Sequence, residues 1–225
     1  MATRWIELSQ PWFEGMPRCP GHDPVRFWTV KKPKALEHML SESSVTHFEL
    51  AAHVGTHVDA ARHFIAGATT IDQYPLERFI GPAVVWDVRR EGPVPLTAAE
   101  LAEARPEVRP GDSVLLYFGY AERFREPSYH EHPYLTADAA DWLVERRINL
   151  LGTDTVSPDY PIPLQPAGFL WPAHGRLLGH DILIVENLGP GLAQVLGRRV
   201  TFIGAPMRIE GSEGSPLAAL AMVEE

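Results

Sequence analysis

The 21 prolines and 18 glycines of this 225-residue chain are scattered along its whole length. Each proline removes a backbone donor and fixes φ, and each glycine loosens the backbone. Many short elements joined by defined turns are expected. Runs rich in β-branched, aromatic and aliphatic residues predict strands at Val25–Lys31, Val45–His53, Ala83–Val88, Ser113–Phe118, Ile148–Leu151, Ile182–Glu186 and Val200–Gly204. Thr97-Ala-Ala-Glu100 has the form of a capping box, opening a helix that ends before Pro106. A second helix is predicted from Thr136 to about Arg147, where Ala139, Ala140, Leu143 and Val144 fall at helical spacing. A third is predicted over Ala173–Leu178, with Gly179 placed to stop it. Strands outnumber helices in a mixed order, which predicts an α/β (mixed α+β) fold in one domain over residues 1–225.

A chain of this length with 45% hydrophobic residues can bury a sizeable core. Twenty Lys+Arg against 29 Asp+Glu give a formal net charge of −9. Basic residues fall in pairs such as Arg89-Arg90, Arg146-Arg147 and Arg198-Arg199, without the concentrated basic face that a nucleic-acid partner requires. The segment Met1–Ser9 lacks the apolar stretch of a signal peptide, and aliphatic runs such as Ile182–Val185 are far too short to cross a bilayer. A soluble cytoplasmic protein with no membrane partner is expected. One cysteine, Cys19, stands against 10 histidines. That excludes an intrachain disulfide and a cysteine-based zinc cluster, and any transition metal would be held by nitrogen and oxygen.

Chemistry concentrates in His53-Val-Gly-Thr-His57-Val-Asp59-Ala-Ala-Arg-His63. A tight turn at Gly55, or one helical turn, could converge His53, His57 and Asp59 on one point. Two imidazoles and a carboxylate with positions left open are the donor set of a catalytic zinc, manganese or iron site; a hydrogen-bond network without metal is the alternative. Glu186 closes an aliphatic strand, where burial is costly unless the carboxylate is paired or metal-bound; an exposed strand end is the other reading. His174 and His180 are not told apart by their local sequence. His22, His38, His47, His130 and His132 take a structural or solvated reading, with His130 and His132 in a loop that could border a substrate entrance. Arg78, Tyr120 and Trp171 are conceivable pocket residues with packing as the simpler role.

The run resembles the His-x-Gly-Thr-His-x-Asp-x-Pro-x-His signature of the cyclase-like metal hydrolases, which include bacterial kynurenine formamidases and isatin hydrolases; Ala61 stands at the family's proline position. Leu8-Ser9, Gly15-Met16-Pro17 with Pro20-Gly21, Gly152-Thr-Asp154-Thr-Val-Ser157, His174-Gly-Arg-Leu-Leu and Ile182–Leu188 are similar to further family segments in the same order. The resemblance implies a compact β/β/α swivelling-type domain with a mixed sheet, assembled as a homodimer or homotetramer. It implies that His53, His57 and Asp59 bind one divalent metal, Zn(2+) or Mn(2+). Asp59 would bridge to a second metal held by His174 and Glu186, with one or two ions per chain. His63 matches the family's acid/base histidine. The implied reaction is hydrolysis of a C–N bond in a small amide, formamide or cyclic amide by metal-activated water. A metal-dependent polyketide-type cyclase or dehydratase, or a non-catalytic metal-binding module, are the alternatives. Relatives that cleave N-formylkynurenine carry an acidic residue directly after the Pro-Gly pair, whereas here His22 follows Gly21.

Overall fold

The computed structural model describes residues 2–33 and 42–224, so His38 lies outside the described residues. In chain order the elements are β1 (Thr3–Glu7), β2 (Arg26–Pro33), β3 (Glu42–Glu49), β4 (His57–Asp59), β5 (Ile80–Asp87) and β6 (Pro95–Leu96), then α1 (Ala98–Glu103), β7 (Ser113–Tyr117), β8 (Tyr134–Leu135), α2 (Ala137–Glu145), β9 (Leu150–Thr153), α3 (Pro172–Gly179), β10 (Leu183–Glu186), β11 (Arg199–Pro206) and β12 (Gly214–Glu224). One mixed sheet runs β1-β12-β11-β5-β7-β9-β10-β4, and β4 pairs again with β12. That second pairing closes seven strands into a barrel and leaves β1 as an added edge.

The parallel strands β5, β7, β9 and β10 are buried on both faces, which is why they read as continuous apolar runs. Alternate residues serve two cores. Val85, Leu115, Leu150, Leu183, Phe202 and Ala221 fill the barrel, while Val84, Trp86, Val114, Leu116, Leu151 and Ile184 face outward. The outward set is covered by Ala139, Ala140 and Leu143 of α2 and by Ala173, Leu177 and Leu178 of α3. Each fully buried aliphatic side chain is worth about 1.5–3 kcal/mol, so both faces of the sheet contribute to holding it closed. The short pair β6–β8 sets α1 and α2 side by side, each capped by a threonine, the predicted Thr97 accepting from Glu100 N and Thr136 from Ala139 N.

Two local expectations change. Strand β3 ends at Glu49, and His53 lies in a turn, because Gly55 adopts φ +65° and reverses the chain before β4. Helix α3 includes Gly179, and the left-handed residue that ends the segment is Asp181 at φ +60°. The ribbon β2–β3 stands apart from the barrel, tied to it where Phe48 meets Trp12 at 5.6 Å. Among the described residues, no helix is long and apolar enough to cross a membrane.

Candidate metal centre and active site

Strand β4 places the first two site residues. His57 and Asp59 are two apart, so both leave the outer face while Val58 enters the barrel core. The antiparallel register sets Glu186, the last residue of β10, opposite His57. Directly opposed side chains on one face of a sheet are neighbours, which places the carboxylate beside the imidazole. Helix α3 covers the same face and brings His174 to the cluster from its first turn. The turn at Gly55 returns His53 to within reach of Asp59. A Cβ on Gly55 would meet Met16 Cε and Trp12 Nε1 at 2.8 Å, and one on Gly214 would meet His53 Cε1 at 2.7 Å. Both glycines are therefore demanded by close approach at the site.

The donor atoms converge. His57 Nε2 lies 3.3 Å from Asp59 Oδ1 and 3.3 Å from Glu186 Oε2. His174 Nε2 lies 3.4 Å from Asp59 Oδ2 and 3.3 Å from Glu186 Oε1. His53 Nδ1 donates to Asp59 Oδ1 at 2.7 Å, and its Nε2 faces Glu213 Oε1 at 3.2 Å. Three of these atoms, His57 Nε2, Asp59 Oδ2 and Glu186 Oε1, are buried without a hydrogen-bond partner in the fold. Orphaned polar atoms in a buried site are expensive unless something else satisfies them. Neighbouring donors in a tetrahedral site with bonds of about 2.0–2.1 Å are separated by about 3.3–3.4 Å, which is the spacing of each of these four imidazole–carboxylate pairs. Two sets have ligand atoms mutually within 4.8 Å, His53/His57/Asp59 and Asp59/His63/His174, and Asp59 is common to both.

The outer contacts match what metal-binding histidines need. His57 Nδ1 donates to Gly55 O at 2.8 Å, and His174 Nδ1 donates to Asp159 Oδ2 at 2.6 Å, which turns each Nε2 toward the carboxylates. Burial opposes charge on His57, but the Asp59 and Glu186 carboxylates outweigh it and raise the imidazole to about 10. Burial likewise opposes charge on His174, and Asp159, Asp59 and Glu186 together hold it well above the ordinary histidine value. Burial would raise Asp59, yet the charge of His53 and hydrogen bonds from His174, His53 and His57 hold it well below the usual carboxylate range. Burial and the Asp59 charge push Glu186 up, and His174 and His57 more than offset them. The Asp59 and Glu186 carboxylates thus stay charged beside two imidazoles that hold protons, and a bound cation would take the place of those protons.

His63 sits above this cluster on a short 3-10 turn, its ring stacked on His53 at 3.9 Å between centroids. Burial pushes its imidazole down to about 4, so it is neutral at neutral pH. A cavity of about 280 Å³ opens here, lined by His53, His63, His174 and Glu186 together with Phe64 and Trp171. All six residues singled out from the sequence are brought together. Of the other candidates, Trp171 lines the cavity; Arg78 pairs with Asp181 and Asn149 elsewhere, and Tyr120 is a core residue. His132, given a structural or solvated reading, takes the structural one: it is fully buried, and burial lowers it to about 4. His180 is exposed with its ring bonded to Arg176 O, which separates it from His174.

Asp159 was not singled out from the sequence, although Ser157-Pro-Asp159 directly follows the Gly152–Ser157 stretch. It is completely buried and accepts from Ala173 N at 2.8 Å, His174 N at 3.0 Å and His174 Nδ1. One carboxylate therefore caps α3 and aims its histidine. Asp159→Asn is expected to weaken metal affinity 10–100-fold, the usual effect of losing such an outer contact, as read by competition with a chromogenic chelator.

The putative cyclase family matches residues 6–160. A kynurenine formamidase of Bacillus cereus is 28% identical over 225 aligned positions, with 97% of each chain covered. Among solved structures, isatin hydrolase A from Labrenzia aggregata superposes with a TM-score of 0.84 and 27% identity, covering 99% of this chain and 94% of that one. Isatin hydrolase A from Ralstonia solanacearum gives 0.83 and 25%, with 99% and 92% covered. The family match spans more than half of the sequence, and these relatives are covered over nearly their whole length. The chain belongs to the putative cyclase family.

Proposed function

We propose that the protein is a metal-dependent amidohydrolase that cleaves a C–N bond of a small amide, formamide or cyclic amide. The observation that carries this reading is the set of buried, unpartnered ligand atoms on His57, Asp59 and Glu186, converging beside His63 at the floor of an aromatic-walled cavity. The relatives named kynurenine formamidase and isatin hydrolase support the same reaction class.

A divalent ion held by this donor set supplies Lewis acidity, bringing the pKa of water from about 16 toward 7 and polarising a carbonyl. His53, His57, Asp59, His174 and Glu186 are the residues assigned to hold it, as Zn(2+) or Mn(2+), with Asp59 shared if two ions bind. His63 takes the proton from the attacking water at a ring nitrogen and delivers it to the leaving nitrogen. Phe64 and Trp171 flank the reacting centre and exclude solvent from it. The protein is proposed to work in the cytoplasm as a homodimer or homotetramer.

Exhaustive chelation should abolish hydrolysis of aryl formamides and of isatin-like lactams, and Zn(2+) or Mn(2+) should restore it stoichiometrically. Activity that survives metal removal would sink the proposal. Ring closure without consumption of water would assign a cyclase instead, and metal binding without turnover of any amide would leave a binding module.

A further inference from the structure

We propose that His22 is a specificity-determining residue that hydrogen-bonds an uncharged polar substituent on the aryl portion of the substrate. The inference rests on the amidohydrolase reading above and adds what the cavity selects.

Part of the cavity wall, Cys19 and His22, comes from the 18–22 loop. Gly21 N and His22 N both donate to Cys19 O, at 3.0 and 3.1 Å, closing a tight turn. Arg18 Nε donates to His22 O at 2.9 Å, and Arg18 forms a β-bridge with Val54, the neighbour of His53. The loop is thereby pinned to the metal-site turn, and the His22 ring lies 6.0 Å from that of His53. Having been placed so firmly, the imidazole lines the cavity while its buried Nδ1 has no partner in the fold. A neutral imidazole offers one donor and one acceptor, so it can meet a carbonyl, hydroxyl or amide on a bound molecule.

The rest of the wall defines the class. Phe64 and Trp171, with ring centroids 6.1 Å apart at 65°, and the aliphatic Val156 and Ile162 make an apolar slot. A volume of about 280 Å³ is at the small end for ligand pockets, room for one aryl ring, the scissile amide and little more. Among the described lining residues none is Lys or Arg, and Glu186 is the one carboxylate, already facing His57 and His174. Away from the metal cluster the lining therefore offers no fixed counter-charge, and a charged substituent on the aryl portion would go unpaired there, at more cost than a neutral one.

The test compares formanilide, its ortho- and meta-acetyl derivatives and the corresponding formamidobenzoates, using metal-loaded protein. The wild type should favour an acetyl derivative over formanilide by about tenfold in kcat/KM, the scale of one well-placed hydrogen bond, and should disfavour the benzoates. His22→Phe should bring the acetyl-to-formanilide ratio to about one, and His22→Asn should recover part of the preference. A His22→Phe variant whose ratio is unchanged, both substrates falling together, would assign His22 a structural role and overturn the inference. A wild type that prefers the benzoates would overturn it as well. Failure of the wild type to cleave any formanilide or lactam with any divalent metal would remove the amidohydrolase reading itself, and this inference with it.

Discussion

Asp59→Asn should leave a folded protein that binds less than about a tenth of the wild-type metal and loses at least about 10³-fold in kcat/KM. Asp59 meets the three imidazoles assigned to hold the metal, at 2.7 Å for His53, 3.3 Å for His57 and 3.4 Å for His174. It also belongs to both candidate ligand sets. Asparagine keeps the shape but removes the charge and replaces one acceptor oxygen with an NH2 group that cannot ligate. Loss of the Lewis acid forfeits several kcal/mol of transition-state stabilisation, and about 4 kcal/mol corresponds to 10³ in rate. The fold should suffer less than the about 3–5 kcal/mol of a stranded buried charge, because the imidazoles can shed their protons. Metal quantification by plasma mass spectrometry and a hydrolysis assay check the two effects together. Arg62→Ala, at an exposed position on the same segment, should change neither. Asp59→Asn protein that retained full metal stoichiometry would show that Asp59 is not the shared ligand.

The parts of this site that could be read in the sequence are those where chemistry and local geometry coincide. The two-residue spacing of His57 and Asp59 is a strand spacing, and an aliphatic run ending in Glu186 is anomalous unless the carboxylate has a partner. Tertiary partners are a different matter. Asp159 lies 15 residues from His174, and only the packing of α3 over the sheet gives its carboxylate a purpose. Glu213 meets His53 across 160 residues, through the pairing of β12 with β4. The fold divides the same way. Runs such as Ser113–Tyr117 are legible because both faces are buried, whereas β12, with its Leu-Ala-Ala-Leu-Ala-Met stretch, has the composition of a helix. It is a strand because Leu217, Ala219, Ala221 and Val223 face the barrel core at period two while β1, β11 and β4 pair along it. Packing overrides intrinsic preference where small side chains must fill a closed barrel.

His63→Ala should retain full metal content while kcat falls 10²–10⁴-fold, the range for losing a positioned acid/base group. The geometry admits two roles. His63 has a ring nitrogen within 4.8 Å of ligand atoms of Asp59 and His174, close enough to be a ligand itself. Yet a cation can be held without it, because His53, His57 and Asp59 form a second set of ligand atoms that does not include His63. Stacking on His53 at 3.9 Å holds the ring over that cluster, where it lines the cavity beside Phe64. Burial keeps it neutral at neutral pH, so in the proposed acid/base role it would begin by accepting a proton. Alanine leaves a hole the size of an imidazole, and under the acid/base role added imidazole should restore a measurable share of kcat without altering bound metal. A ligand role predicts the opposite pairing: metal content falls in step with activity, and excess metal rather than imidazole restores turnover. Measuring bound metal and imidazole rescue on the same preparation therefore separates proton transfer from ligation at this residue.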